Sequence, residues 1–194
     1  MADQITGLLS PLLASIRLKT ISKEIKGGNI LDFGCGRGDL LKFLSCFDFY
    51  IGVDIDAFTI KKCRERIRKQ NVFFQTLSEF IEWPQLRNFD YIVLAAVLEH
   101  LDNPKNTISW LKEFLNENGK IIITTPTRIA DIFLSFGSKI GIFSREAYKE
   151  HKIYFNKKSF QILAEELGFK IKKYKKFELG LNQLVILEKL EKRY

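Results

Sequence analysis

ILDFGCGRGDLL, residues 30–41, is the stretch of this chain from which its fold can be predicted most directly. An apolar run that contains Asp32 is followed by three glycines at alternate positions, Gly34, Gly36 and Gly38. The pattern predicts a strand, a tight loop and then a helix that begins near residue 39. Because glycine has no Cβ, such a loop lets a ligand approach bare backbone N–H groups closely.

An acidic residue stands at the end of the second predicted strand, FYIGVDID, residues 49–56. Asp54 lies about where a doubly wound sheet places the carboxylate that binds ribose hydroxyls. A dinucleotide fingerprint, G-x-G-x-x-G, would require glycine where this chain has Asp39. The alternative interpretation is that Asp32 and Asp54 are turn residues and that the glycines only shape a corner.

Alternating strand and helix patterns predict the fold class. We expect an α/β, doubly wound, Rossmann-like sheet of seven strands, mostly parallel, with an antiparallel C-terminal pair and helices on both faces. The N-terminal helices would occupy residues 1–28, and the first crossover helix residues 39–47. Residues 128–150, which break the rhythm, would form a helical insertion over the substrate side. Ligands in such sheets bind beyond the carboxyl ends of the strands.

The composition predicts one domain that covers residues 1–194, since 46% of the residues are hydrophobic. The three cysteines are irregularly spaced and match neither a disulfide framework nor a zinc pattern. Cys35, inside the glycine loop, could be a nucleophile, but we expect it to act as a small packing residue. No secretory signal and no membrane-spanning stretch is apparent in the sequence, so we expect a soluble cytoplasmic protein.

The net charge of +8 comes from two regions. KKCRERIRK, residues 61–69, is predominantly basic, and residues 157–194 hold ten Lys/Arg against five Asp/Glu. Basic surface attracts nucleic acid, anionic membranes or acidic substrates. The first run has no interleaved aromatic residues, so a solvated helix face is the favoured interpretation there.

Residues 29–188 resemble the class I S-adenosylmethionine (AdoMet) dependent methyltransferases of the type 11/type 23 group. Members of this group include small-molecule O-methyltransferases of the ubiquinone-biosynthesis kind. The residues that carry the resemblance are DFGCGRG at 32–38, GVDID at 52–56, FDYIVLAAVLEHLDNP at 89–104, GKIIITTPT at 119–127 and EHKIYFNKKSFQILAEELGF at 150–169.

The resemblance implies AdoMet as the cofactor and assigns residues to its parts. The loop would hold the methionine portion and Asp54 the ribose, while Ile55 would lie against the adenine. At the turn where many members place an adenine-binding Asp, this chain has Leu77 and Ser78. The predicted cofactor-binding residues are Asp32, Gly34, Cys35, Gly36, Asp54, Ile55, Leu77, Ser78 and Ala95.

The chain's two histidines both fall in the family's motifs. We predict that His100 and His151 approach the methyl-transfer face with Glu99 nearby, because a histidine with a pKa near neutrality suits general-base catalysis. The alternative is that His100 caps the helix after the fourth strand and His151 anchors the insertion. Some relatives bind a divalent metal through Glu-x-x-Glu-His, but here Ala96 replaces the first Glu. We therefore predict no metal and an activity that survives a chelator.

Three functions are compatible with these patterns. The favoured one is transfer of a methyl group from AdoMet to an oxygen or nitrogen nucleophile of a small molecule. A nucleic-acid methyltransferase is the second, motivated by the basic regions, although the fourth strand lacks the Asn/Asp-Pro-Pro-aromatic signature of enzymes that methylate exocyclic base nitrogens. The third is a non-catalytic partner protein with the same fold.

Overall fold

A computed structural model of the chain describes residues 10–82, 88–130 and 154–190. Within these ranges one sheet contains seven strands. The strands are β1 (Asn29–Phe33), β2 (Phe49–Asp54), β3 (Val72–Thr76), β4 (Phe89–Ala95), β5 (Leu115–Pro126), β6 (Phe169–Phe177) and β7 (Asn182–Lys189). The helices with described bounds are α1 (Ser10–Ser22), α2 (Ala57–Arg66), α3 (Leu77–Glu82), α4 (Pro104–Lys112) and α5 (Lys157–Glu166).

The order of the strands confirms the predicted fold class. It runs β3-β2-β1-β4-β5-β7-β6, with β1 to β5 parallel, β7 antiparallel to β5 and β6 antiparallel to β7. The chain reverses its direction of winding between β1 and β4, which are neighbours in the sheet. A doubly wound sheet opens a ligand crevice at this switch point, beyond the carboxyl ends of the strands.

Each face of the sheet carries its own apolar core. One core joins alternate sheet residues such as Ile30 and Ile122 to α1 and α2, through side chains that include Ile21 and Ile60. The other joins the opposite sheet residues to α3, α4 and α5, where Phe160 is fully buried. The central strands are therefore apolar on both faces, as parallel strands covered by helices must be.

The predicted first crossover helix, residues 39–47, is wrong in its extent. The structure has a single 3-10 turn, Asp39–Lys42, after the glycine loop. The connection must run back along β2, whose six residues extend about 20 Å. A nine-residue α-helix would cover only about 13 Å, so more extended backbone is required to reach the start of β2.

Most other boundaries lie close to the predicted ones. Residues 118–119, an Asn-Gly pair, lie inside β5, where the pairing with β4 shifts in register between Phe89 and Tyr91. The predicted C-terminal strand pair is confirmed. Of the N-terminal helices and the insertion at 128–150, residues 1–9 and 131–150 lie outside the described residues.

Asn156 fixes the start of α5 through a capping box. Its side chain accepts a hydrogen bond from the N–H of Ser159 at 2.9 Å, and the Ser159 hydroxyl oxygen accepts one from the Asn156 N–H at 2.8 Å. Two backbone donors that the helix cannot satisfy by itself are thereby paired. The helix then packs Phe160 and Leu163 onto the sheet.

Asn156→Ala is expected to lower the thermal midpoint by about 3 °C, because loss of an N-cap costs about 1 kcal/mol in stability. Asn118→Ala, at an exposed site without a capping role, is the matched control and should leave the midpoint unchanged. Equal midpoints for both variants in a thermal-unfolding experiment would contradict the capping role.

Candidate active site

The glycine loop turns directly over the end of β2. The N–H groups of Gly34 and Cys35 both donate to the carbonyl oxygen of Val53, at 2.7 and 3.0 Å. Gly34 has φ +77°, and a Cβ there would lie 2.4 Å from a methyl group of Val97. Only glycine fits this position, because both the backbone conformation and the neighbouring side chain exclude a Cβ.

Asp54 joins the loop to the end of β2. Its carboxylate accepts hydrogen bonds from the N–H of Gly36 at 2.9 Å and from the N–H of Asp56 at 3.1 Å, one on each oxygen. A carboxylate has about four acceptor positions, so each oxygen keeps capacity for a further donor. The side chain is thus oriented by the backbone and can still accept from two hydroxyl groups.

Asp32 brings a second carboxylate to the same place. It is 2% exposed, and the Tyr50 hydroxyl donates to its Oδ2 at 2.6 Å. Burial raises the pKa of Asp32 to about 7; the Tyr50 hydrogen bond opposes this shift and the Asp54 charge adds to it. A cationic group in the cleft would stabilise the charged form of this carboxyl.

A cleft of about 510 Å³ opens at this end of the sheet. Six of the nine predicted cofactor residues line it: Asp32, Gly34, Cys35, Gly36, Asp54 and Ala95. Helix α1 and the 3-10 turn supply further lining, including Ser15, Arg17 and Asp39, which sequence reasoning missed. Nothing in the pattern of α1 distinguishes the residues that face a ligand from those that face the sheet.

The Cys35 thiol is held in its neutral form. Burial, followed by the charges of Asp32 and Asp54, raises the pKa of Cys35 well above its usual range. The thiol contacts the carbonyl oxygen of Gly36 at 3.6 Å. A nucleophilic cysteine needs an accessible thiolate, so the packing role is the one that this environment favours.

The residues predicted for the adenine lie beyond the lining of the cleft. Ile55, next to Asp54, is 62% exposed. Leu77 and Ser78 begin α3, in a turn where the Glu79 carboxylate accepts from the Thr76 N–H and from Arg64, each at 2.7 Å. These contacts lower the pKa of Glu79 to about 2. The adenine-binding role of the three predicted residues stays a prediction.

The turn after β4 carries two of the three predicted catalytic residues. Ala96 has φ +57°, a conformation that alanine rarely adopts, and the chain then forms the 3-10 turn Leu98–His100. Glu99 is 1% exposed, and its Oε2 has no hydrogen-bond partner within the described structure. Burial raises the pKa of Glu99 to about 7, while Arg17 opposes that shift. His100 is half-buried beside it.

Other polar atoms at this end of the sheet are also buried without a partner in the described part of the chain. They include Nε of Arg17 in α1, Oγ1 of Thr124 in β5 and Oε1 of Glu178 in the turn before β7. The Arg17 charge acts on the pKa of both Glu99 and Glu178. Buried polar groups normally have partners, so an arrangement of this kind suits a site that a polar ligand completes. Sequence reasoning identified Glu99 alone.

His151 lies outside the described residues, so its predicted approach to the methyl-transfer face stays a prediction. Within ranges 10–82, 88–130 and 154–190, no group of three or more His, Cys, Asp or Glu residues could hold a metal ion. In the same ranges, no helix combines the length and apolar character needed to cross a bilayer.

Part of the basic charge is paired within the structure. On α2, Arg64 pairs with Glu79, and Arg66 donates to the carbonyl oxygen of Arg37. On β6, Lys170 and Lys172 pair with Glu188, and Lys173 and Lys175 pair with Glu24. These pairs reduce the cationic field that a nucleic acid would meet on those surfaces.

The chain belongs to the family defined by the methyltransferase domain, whose model matches residues 6–174. This places it among the class I AdoMet-dependent methyltransferases of the type 11/type 23 group, as the resemblance predicted. The ubiquinone biosynthesis O-methyltransferase of Glaesserella parasuis is 32% identical over 136 residues, which are 66% of this chain and 57% of that protein. The chain thus spans little more than half the length of this relative.

Solved structures of other methyltransferases share the fold, among them the following two. A chain in the complex of the Haloferax volcanii Trm112 methyltransferase activator with a methyltransferase has a TM-score of 0.72 at 10% identity, covering 93% of this chain and 90% of that one. The plantazolicin methyltransferase BpumL in complex with S-adenosylhomocysteine has a TM-score of 0.70 at 16% identity, covering 93% and 85%. At these identities the likeness concerns the fold alone.

The residues present in the cleft fit the family's cofactor, AdoMet. A Cβ at Gly36 would have nothing within 4 Å, so the loop leaves open space on the ligand side. Asp32 provides a buried carboxylate for an ammonium group, and Asp54 retains acceptor capacity for ribose hydroxyls. The donors and acceptors therefore match the two polar ends of such a ligand.

Asp54→Asn is expected to remove the thermal stabilisation by AdoMet, because the amide loses the charge and one acceptor. At a hundredfold its dissociation constant, AdoMet should stabilise the unaltered chain by about 2.7 kcal/mol, a rise of several degrees. S-adenosylhomocysteine should act similarly and NAD should not. Asp48→Asn, the same change at the opposite end of β2, should respond like the unaltered chain; if it fails too, the role of Asp54 is not specific.

Asp32 should make the stability of the free protein fall between about pH 4 and pH 7. In that range the folded Asp32 holds a proton that the unfolded chain, with a pKa of about 4, has released, so stability falls as the pH rises. Asp32→Asn should therefore raise the thermal midpoint at pH 8 by about 5 °C more than at pH 5. The exposed Asp48→Asn should show no such difference, and a pH-independent effect of Asp32→Asn would contradict the raised pKa.

Proposed function

We propose that this protein transfers a methyl group from AdoMet to an oxygen or nitrogen nucleophile of a small molecule, at the carboxyl ends of β4 and β5. The bound cofactor would supply an electrophilic methyl group. The chain's own task is then to hold the acceptor in line with it and to exclude water. Ala95, which lines the cleft at the end of β4, would border the transferred group.

The observation that carries this proposal is the unpartnered, buried carboxylate oxygen of Glu99 in the turn after β4. Arg17, which lines the cleft, is close enough to affect the pKa of Glu99. An acceptor hydroxyl or amine that donated to Glu99 would satisfy an atom that otherwise bears the full cost of desolvation.

Glu99 is also suited to take a proton. With its pKa raised to about 7, this carboxyl exists in both protonation states near neutral pH. A general base works best when its pKa lies near the working pH, because it is then both available as the base and strong enough to accept a proton. His100 follows Glu99 in the same turn and would assist in orienting the acceptor.

The acceptor class is inferred from the relatives and from the surface charge. Ubiquinone biosynthesis O-methyltransferases are among the similar proteins, and their name indicates a small-molecule acceptor. The ion pairs of β6 weaken the case for a nucleic-acid acceptor. A cleft of about 510 Å³ also suits a small ligand better than a polymer.

The test measures transfer of a labelled methyl group from AdoMet to phenols, sugars, carboxylic acids, amines and RNA or DNA oligonucleotides. We expect label in a small acceptor only. Glu99→Gln should lower kcat at least tenfold while the AdoMet Kd stays within a few fold, whereas Glu113→Gln, an exposed control, should have no effect. His100→Ala and His151→Ala should abolish turnover, and a chelator should not.

Three outcomes would contradict the proposal. Label in oligonucleotides alone would support the nucleic-acid alternative. AdoMet binding without any labelled product would support the non-catalytic partner. Unchanged turnover in Glu99→Gln would remove Glu99 from the mechanism.

A further inference from the structure

A second cavity of about 590 Å³ lies at the carboxyl end of β5 and the amino end of β7, beside the start of α5. Its charged lining residues are Arg128, Lys157, Lys158 and Lys176, and none of its lining residues is acidic. All of the lining residues belong to the described part of the chain. All four residues are exposed, so water screens their mutual repulsion, but an anion in the cavity would be attracted to each of them.

The cations of this cavity differ from the neighbouring lysines of β6 in one respect. Lys173 and Lys175 both reach Glu24, at 2.8 and 3.7 Å. By contrast, none of the four cavity cations forms an ion pair with a described acidic residue. The other four lysines of β6 thus each have an acidic partner, whereas Lys176, at the cavity, has none among the described residues.

The first turn of α5 adds to the positive potential. It contains no acidic residue and begins with Lys157 and Lys158. Because a helix N-terminus carries partial positive charge, acidic side chains are favoured there and lysines are not. The ring of Tyr174 lies 5.9 Å from Nζ of Lys157 and forms part of the wall.

The floor of the cavity is rigid. Gln183 is 1% exposed, and its amide nitrogen donates to Oγ1 of Thr125 at 3.0 Å and to the Phe155 carbonyl at 2.7 Å. Its amide oxygen accepts from the Tyr174 hydroxyl at 2.9 Å. A fixed polar floor, aromatic walls and cations at the rim together form a preorganised pocket for an organic anion.

We infer that this cavity binds the phosphate group of a small organic phosphomonoester, and that this phosphomonoester is the methyl acceptor. The second part rests on the proposed function, whereas the first does not. Thr124 pairs with Ala95 and the next residue, Thr125, pairs with Gln183. The cavity floor therefore lies two strand spacings, about 10 Å, from the end of β4. An acceptor with its phosphate about 10 Å from the accepting atom would bridge the two sites.

Phosphate is favoured over carboxylate because two negative charges match four cations better than one. The probes are phenyl phosphate, benzoate and phenol, titrated into the AdoMet-bound full chain at constant ionic strength. We expect phenyl phosphate to bind at least tenfold more tightly than benzoate, and phenol to bind weakest. Equal affinity for the three probes would overturn the inference.

The variant for the test is Lys157→Gln/Lys176→Gln, with Lys61→Gln/Lys69→Gln as a control that removes the same charge from the exposed surface around α2. The cavity variant should bind phenyl phosphate about tenfold more weakly, and the control within twofold of the unaltered chain. Both should keep their AdoMet affinity and thermal midpoint. Equal weakening in the two variants would show general attraction only and would refute the site.

Two further experiments test the anion site and the acceptor assignment separately. Once a labelled acceptor is known, phenyl phosphate should raise its KM without changing the AdoMet Kd; binding without this competition would refute the acceptor assignment and leave the anion site standing. A single-stranded RNA oligonucleotide should bind no more tightly than phenyl phosphate at physiological salt. Tighter RNA binding that the cavity variant loses would overturn the small-molecule inference.

Discussion

The pairing of the Asp54 carboxylate with the N–H groups of Gly36 and Asp56 is the constraint on which the rest of the site depends. It joins the loop after β1 to the end of β2, and both segments line the same cleft. The interaction is charge-assisted, so it is stronger than a hydrogen bond between neutral groups. The 3-10 turn, α1 and the end of β4 form the remaining walls of this cleft.

Buried carboxyl groups make this end of the sheet costly to fold. Asp32 and Glu99 are almost fully buried, and burial raises the pKa of each to about 7. Neither has a salt-bridge partner among the described residues. Such groups weaken the free protein near and above neutral pH, and they become favourable only when a ligand brings the missing donors. The apolar core on each face of the sheet provides the stabilising free energy that offsets the cost of burying these carboxyl groups.

Much of the fold and the cofactor cleft could be predicted because those features are local. The glycine spacing at 34, 36 and 38, the apolar run of β4 and the Asn156 cap each depend on residues within one short segment. The extent of the first crossover helix could not be predicted, because it depends on the distance that the connection must cover to reach the start of β2. Arg17 was missed for a related reason: its proximity to Glu99 arises only when α1 meets the turn after β4.

The sequence by itself determined the alternation of strands and helices, the loop that a ligand can approach and the carboxylate that follows it, since backbone conformation and apolar pattern are set by neighbouring residues. Only the tertiary structure decided which basic side chains have an acidic partner. Glu24 meets two lysines of β6 from far along the chain, while the described lining of one cavity gathers Arg128, Lys157, Lys158 and Lys176 and contains no acidic residue. Electrostatic energy depends on distance in space, and the linear order of residues does not contain that distance.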